Sequence, residues 1–310
     1  MRKYVVTTMT ITADTELRGL RGVADVRGEG RYHWVGDGFR VEGLFSPSDR
    51  LSSMLDPFLL LDYHSPFEYS PTTTPRGVGV HPHRGFETVT LAFDGSVAHH
   101  DSTGAGGVIG PGDVQWMTAA SGILHKEYHD ADWARTGGRF HMAQLWVNLP
   151  ADHKMDAPHY QPLTAEQIGQ LDLADNAGTV RVIAGNYDGH TGPAVTSTPI
   201  NLWDVALTAG ASIAPHVAAD HNVAVLAIDG TVTVNGVDLS IGQLAVLDRS
   251  RPDQHGVELT TIGGGRALVM TGQPIGEPVA AHGPFVMNTR QQLIEAVEDF
   301  QAGRFGRLDD

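Results

Sequence analysis

The chain has 310 residues, enough for two domains of ordinary size, each with a core of its own. Its 36 acidic against 21 basic side chains give a formal net charge of −15, which repels nucleic-acid backbones and anionic membranes and argues against direct DNA reading. Cysteine is absent, so disulfides, thiolate zinc sites, iron–sulfur clusters and cysteine nucleophiles are excluded together, and a bound metal must rely on histidine, carboxylate and water.

Met1 to Thr15 carries Arg2 and Lys3 but continues with threonines, without the apolar core or cleavage site of a secretory leader. With no run of about 18 apolar residues, no membrane span is expected, and the expected compartment is the cytoplasm. Glycine fills 37 positions, above the ordinary share of about 7%, and falls in turns between short apolar runs, a mainly β pattern. Pro57 to Leu61 reads as a buried strand, followed by a proline-rich loop from Pro66 to Pro75. Thr88 to Phe93 reads as a strand that Asp94-Gly95 turns into a partner at Ser96 to His100. Gly104 to Gly107 is expected to be irregular, and it is no phosphate cradle because neither a helix nor a basic residue follows in the required place. Pro111-Gly112-Asp113 forms a turn before a strand at Val114 to Met117, and Ala119 to Gly122 a loop before a strand carrying His125 and Glu127. Gln144 to Leu149, stopped by Pro150, closes the first sheet system.

From Ala151 to Asp175 the pattern changes to a linker, with a capping box at Thr164 to Gln167 that starts a short helix. Short strands follow at Val180 to Ala184, Asn201 to Thr208, Val223 to Ile228, Thr231 to Val234, Leu244 to Leu247 and Ala267 to Thr271, with Asp229-Gly230 and Asn235-Gly236 as hairpin turns. A second capping box at Thr289 to Gln292 opens a helix over about 289–302, in which Leu293, Ile294, Val297 and Phe300 share a face until Gly303, and the tail beyond is expected to be loose. The expected division is 1–160 and 161–310.

Two pairs of candidate metal ligands stand out, His81 with His83 and His125 with Glu127. Residues two apart on a strand share a face, so each pair presents two ligand atoms to one point. Glu87 is a competing carboxylate, because 81, 83, 85 and 87 share a face on an unbroken strand, unless a bulge at Gly85 turns it away. Leu226 to Val232 repeats the pattern of Leu91 to Val97, but the second half offers only His216 and His221, whose spacing of five does not place both on one strand face. His33, His64, His153, His159, His190, His255 and His282 read as structural or surface residues, while His99, His100 and His129 adjoin the ligand strands and are either solvated or supports for the ligands. Phe86, Trp116, Met117 and Trp146 read as core or pocket wall, and Arg84 either braces its loop or attracts an anionic substrate.

The segments His81 to Val89, Pro111 to Ala119, Gly122 to His125 and Leu145 to Leu149, extended upstream through Pro57 to Leu61 and downstream through Gly283 to Thr289, resemble the pirin family of the cupin superfamily over roughly residues 31–303. The resemblance implies two stacked cupin barrels, double-stranded β-helices, with a short C-terminal helix, one metal in the N-terminal barrel and none in the C-terminal one. Carried over residue by residue, the family's three histidines and one glutamate fall on His81, His83, His125 and Glu127. Three neutral imidazoles and one carboxylate leave a divalent ion near +1 with up to two open positions; iron(II) is the first choice, and manganese, nickel, cobalt, copper or zinc also fit. The implied activity is quercetinase-type cleavage of a flavonol, an enolic aromatic compound, by dioxygen with release of carbon monoxide, with Glu127 or a nearby base accepting the enolic proton. The competing implication is a regulator that is not an enzyme, in which the metal's oxidation state alters a surface that binds a protein partner.

Overall fold

A computed structural model describes residues 19–28, 30–251 and 253–309; the reading of Met1 to Thr15 lies outside them. Twelve strands build the first half: β1 (Val23–Arg27), β2 (His33–Val35), β3 (Phe39–Phe45), β4 (Phe58–Tyr69), β5 (Gly77–His83), β6 (Phe86–Asp94), β7 (Val97–Asp101), β8 (Gly106–Ile109), β9 (Val114–Thr118), β10 (Ile123–His129), β11 (Gly138–Asn148) and β12 (His159–Leu163). Short helices α1 (Ser52–Leu55), α2 (Ala131–Thr136) and α3 (Ala165–Ile168) interrupt or follow them. The second half contains β13 (Leu171–Asp172), β14 (Gly178–Ala184), β15 (Asn186–Tyr187), β16 (His190–Thr191), β17 (Ile200–Leu207), β18 (Ser212–Ile213), β19 (Asn222–Gly230) and β20 (Val232–Val234). It continues with β21 (Val237–Leu239), β22 (Leu244–Leu247), β23 (Leu259–Thr260), β24 (Gly265–Gly272), β25 (Ala280–His282), β26 (Phe285–Met287) and helix α4 (Arg290–Gln301).

Two barrels result, each made of a seven-stranded and a four-stranded sheet, while β15-β16 and β25-β26 form separate two-stranded sheets. The large sheets run β12-β9-β6-β11-β4-β3-β2 and β1-β22-β19-β24-β17-β14-β13, and the small ones β5-β10-β7-β8 and β18-β23-β20-β21. The orders correspond strand for strand, so the repeat at Leu91 and Leu226 reflects equivalent central strands, β6 and β19. The outer place of the first large sheet is filled by β12, and the same place in the second by β1 from the N-terminal end.

The two large sheets pack back to back. Val89, Leu91 and Phe93 of β6 join Leu226 and Ile228 of β19 and Leu268 and Met270 of β24 in one buried cluster. The alternate residues of β19, Val223, Val225 and Ala227, point into the second barrel, among Val180, Trp203 and Val269. A strand buried on both faces loses the in-out alternation, which is why Val223 to Ile228 reads as an unbroken apolar run. On β6 the inward residues are instead Phe86, Thr88, Thr90 and Ala92, and two hydroxyls in that row make the first barrel's interior polar where the second's is apolar.

Several local expectations are corrected. Asp94-Gly95 and Asp229-Gly230 are corners and not hairpins, because β6 and β7, like β19 and β20, belong to different sheets. Asn235-Gly236 is a true two-residue hairpin, with φ of 46° and 84° and Val234 paired to Val237. Pro66 lies inside β4, at an irregularity in the pairing with β11, where a residue without N–H costs no ladder bond. Gly106 and Gly107 belong to edge strand β8, and a Cβ on Gly106 would stand 2.7 Å from the His99 carbonyl oxygen, so glycine is what permits the pairing. Both capping boxes form, at Thr164 and Thr289. In α4, Ala296 is the buried centre of the apolar face, with Ile294 and Phe300 at its exposed margins. The tail is docked, since Phe305 is 3% exposed and packs with Phe285 and Ala296. No helix among the described residues is long and apolar enough to cross a membrane.

Candidate metal centre

Strand β5 pairs antiparallel with β10, which sets His81 opposite His125. His83, two residues on, faces the same interior, and ligand atoms of His81, His83 and His125 all lie within 4.8 Å of one another. Ring centroids stand 4.9 Å apart for His81 and His83, 4.1 Å for His81 and His125, and 4.7 Å for His83 and His125. His83 and His125 are buried, at 4% and 1% exposure. His81 is partly exposed, so the cluster opens to solvent on that side.

Hydrogen bonding makes these rings suited to a cation. His81 Nδ1 lies 2.8 Å from the Gly79 carbonyl oxygen, which can only accept, so Nδ1 carries the proton and Nε2 keeps its lone pair. His83 Nδ1 and both ring nitrogens of His125 are buried without a hydrogen-bond partner. Burial, followed by the neighbouring histidines, pushes His83 and His125 well below the ordinary histidine range, into the neutral form that ligates metals. Native interiors rarely leave buried polar atoms unpaired, and a divalent ion accepting one lone pair from each ring fits this set.

Glu127 faces the same interior but stands outside the 4.8 Å group. The pairing of β10 with β5 shifts between His125 and Glu127, which offsets the carboxylate along the barrel. Its oxygens accept Gln144 Nε2 at 3.0 and 3.3 Å and Thr90 Oγ1 at 3.4 Å. Burial raises its pKa, with His81, Gln144 and Thr90 pulling the other way. Glu127, Asp62, Phe39, Met142 and Gln144 border a cavity of about 20 Å³, room for roughly one water. Glu87 goes elsewhere: Gly85, at φ +89°, turns the chain between β5 and β6, and on β6 Glu87 alternates with Thr88 and so shares the outward face of Val89 and Leu91. There it accepts Thr118 Oγ1 at 2.7 Å, and burial lifts its pKa to about 7. It therefore does not touch the histidine cluster.

Other inward residues complete the lining. Thr90 lies across from Gln115 on β9 and Gln144 on β11, and Thr88 across from Met117 and Trp146. The Thr88 hydroxyl and both amide atoms of Gln115 are buried with no partner. The rings of Phe86 and Trp146 stack at 4.2 Å and stand 5.1 and 5.3 Å from His83. His99, directly opposite Glu127 on β7, meets the Tyr160 hydroxyl at 2.6 Å. His129 donates Nε2–H to the Gly38 carbonyl at 2.9 Å among aromatic rings, and His100 is exposed. Arg84 braces its loop, donating to Ser121 O at 2.6 Å and Asp299 Oδ2 at 2.7 Å. In the second half His216 is exposed and His221 is bonded through Nδ1 to Thr271 Oγ1 at 3.0 Å. Sequence reasoning missed Gln144 as the holder of Glu127, although a lone glutamine at an inward position of an apolar strand is a usable signal. Cavities of about 470 and 500 Å³ lie against Asp56, Arg249 and Glu277, and against His282, Arg290 and Leu293, away from the cluster.

Comparison with known proteins gives this geometry a lineage. The Pirin family pattern matches residues 38–147, and that of the Pirin C-terminal cupin domain matches residues 202–306. A Pseudomonas aeruginosa protein named "putative quercetin 2,3-dioxygenase" is 50% identical over 288 residues, 93% of this chain and 99% of its own. A Caulobacter vibrioides pirin-like protein is 41% identical over 256 residues, 82% of this chain and 89% of its own. The crystal structure of a quercetin 2,3-dioxygenase from Acinetobacter baumannii superposes with a TM-score of 0.88 at 45% identity, covering 94% of this chain and 100% of that one. Both barrels are matched, each in its own place along the chain, and the protein belongs to the pirin family.

Proposed function

We propose that this pirin holds one divalent metal ion, iron(II) by first choice, through His81, His83, His125 and Glu127, and uses it to cleave a flavonol such as quercetin with dioxygen. The observation that carries the reading is His125, 1% exposed with neither ring nitrogen bonded, one of which a metal would engage. The names borne by the Pseudomonas and Acinetobacter relatives support the choice of substrate class. Glu127 would complete the set from the same interior face of β10.

When bound, the ion supplies Lewis acidity and a common point of attachment for an enolic oxygen and dioxygen. The chain's own groups do the remaining work. The Glu127 carboxylate is placed in the same interior to accept the enolic proton, and Gln144 donates its Nε2–H to it at 3.0 Å. Thr88 and Gln115 offer unpaired polar atoms to substrate oxygens. Phe86 and Trp146 form the apolar wall beside His83 that excludes water.

The test is anaerobic loading with iron(II), then quercetin and air, recording oxygen uptake and loss of flavonol absorbance in the parent and in His83→Ala. Turnover in the parent that vanishes in the variant is the expected result. No turnover with iron or with manganese, nickel, cobalt, copper or zinc fully bound refutes the flavonol reading and favours a redox-dependent partner protein.

A further inference from the structure

We propose that the C-terminal segment Pro284 to Phe305 is a positioning element of the metal centre, holding the residue after one ligand and the residue before another; this rests on His83 and His125 as ligands. The chain separates these parts by 215 residues between Arg84 and Asp299, yet the fold brings them into direct bonding.

The first connection is at Arg84, which follows His83. Its side chain is 5% exposed and donates to Asp299 of α4, and its guanidinium carbon lies 4.6 Å from the Phe305 ring centroid. The backbone joins as well, with Val286 N donating to Arg84 O at 3.0 Å and Arg84 N to Pro284 O at 3.3 Å. Lys154, 1% exposed, ties the same corner by donating Nζ to Gly85 O at 2.6 Å, Asn148 Oδ1 at 2.7 Å and Val286 O at 3.1 Å. A Cβ at Gly85 would stand 1.9 Å from Val286 O, so the corner and the segment are fitted to each other.

The second connection is at Leu124, which precedes His125. Leu124 packs against the cluster of Phe285, Ala296 and Phe305. Its amide donates to Ser102 Oγ at 3.1 Å, and that hydroxyl donates to Phe305 O at 2.6 Å. Gly122, at the head of the same strand, leaves room for the Phe305 ring, from which a Cβ would stand only 2.5 Å. Both ligand-bearing strands thus end against one downstream element. Two ligands clamped to a common body keep their separation, and by linkage a metal that fixes the separation also fixes the body.

The test compares the parent with Asp299→Ala, Asp299→Glu and His83→Ala, measuring zinc(II) affinity by competition with a coloured chelator. Amide exchange over residues 284–305 is recorded with and without zinc. We expect Asp299→Ala to weaken zinc binding roughly tenfold, the lower end for loss of a group that orients a ligand, and Asp299→Glu to restore most of it. We expect zinc to slow exchange in the segment in the parent and much less in Asp299→Ala. If Asp299→Ala melts lower but binds zinc as the parent does, and zinc leaves exchange in the segment unchanged, the segment is only structural and the proposal is overturned. If His83→Ala also binds as the parent does, or the parent binds no zinc, the ligand assignment itself fails and the proposal falls with it.

Discussion

Replacing His125 by leucine separates the cost of the site from its use. In the folded chain without metal, both ring nitrogens of His125 are stripped of water and given no partner. Each such group costs about 1–3 kcal/mol, so the two together cost roughly 2–6 kcal/mol of stability. Leucine has a similar volume and no polar atom to desolvate. The metal-free variant is therefore expected to be more stable than the parent by at least about 2 kcal/mol, or about 3 °C at about 1.5 °C per kcal/mol for a chain of this length. Zinc at a hundred times its dissociation constant should stabilise the parent by about 2.7 kcal/mol, a further rise of about 4 °C, and leave the variant unmoved. Differential scanning calorimetry of the chelator-treated proteins, with and without zinc, reads all four values. A metal-free variant that melts below the parent, or one that keeps the zinc-induced rise, refutes the reasoning.

The two glutamates should separate cleanly. Glu127→Gln is expected to weaken zinc binding roughly 10- to 100-fold, the worth of a charged ligand bond, with little change in far-UV circular dichroism; affinity equal to the parent's would remove Glu127 from the site. Glu87→Gln should leave zinc affinity unchanged and alter stability instead. Burial raises Glu87 from 4.5 to about 7, so the unfolded chain ionises first and stability falls as pH rises through that window. The amide variant should exceed the parent by up to about 3 kcal/mol at pH 8 and match it near pH 4, read from denaturant midpoints; equal midpoints at pH 8 would contradict the burial argument. Histidines supply the opposite slope. Burial depresses His64, His99 and His129 to about 4 and His141 to about 3, so below pH 6.5 the unfolded chain binds protons that the native one refuses. Each contributes up to about 1.4 kcal/mol per pH unit, so the metal-free protein should lose stability steeply between pH 6 and 4, and a flat profile there would contradict the burial of these rings.

The histidine cluster was legible because its geometry is local. Residues 81 and 83 share a strand face by covalent geometry, and a single pairing to β10 brings in His125. What the sequence withheld was non-local. Asp94-Gly95 has the chemistry of a tight hairpin, but turn residues do not say which sheet the next strand joins, and here it joins the opposite one. The choice between Glu87 and Glu127 turned on the same point, since parity along 81, 83, 85 and 87 holds only while one strand continues, and the corner at Gly85 ends it. Glu127 lies on the interior face outside the group of three histidine nitrogens, and the shift in pairing between His125 and Glu127 could not be read from one strand alone. Lys154 and Phe305 gave no signal, since their partners lie far along the chain or in backbone carbonyls.

The two barrels share one architecture and divide the physical burden between them. Thr88, Thr90, Gln115, Gln144, Glu127 and the histidines fill the first barrel with groups that cost stability when unpaired or desolvated. The corresponding interior of the second includes Val223, Val225, Ala227, Val180 and Val269, side chains that supply apolar burial with no polar atom to desolvate. The back-to-back cluster of Leu91, Leu145, Leu226 and Leu268 couples the two, so stability generated in one barrel is available to hold the other folded. Two terminal elements strengthen that coupling: β1 completes the second large sheet, and the segment around α4 closes over the first barrel. Orphaned polar atoms in the first barrel cost stability, and the apolar barrel fused to it is the physical condition under which so polar an interior can stay folded.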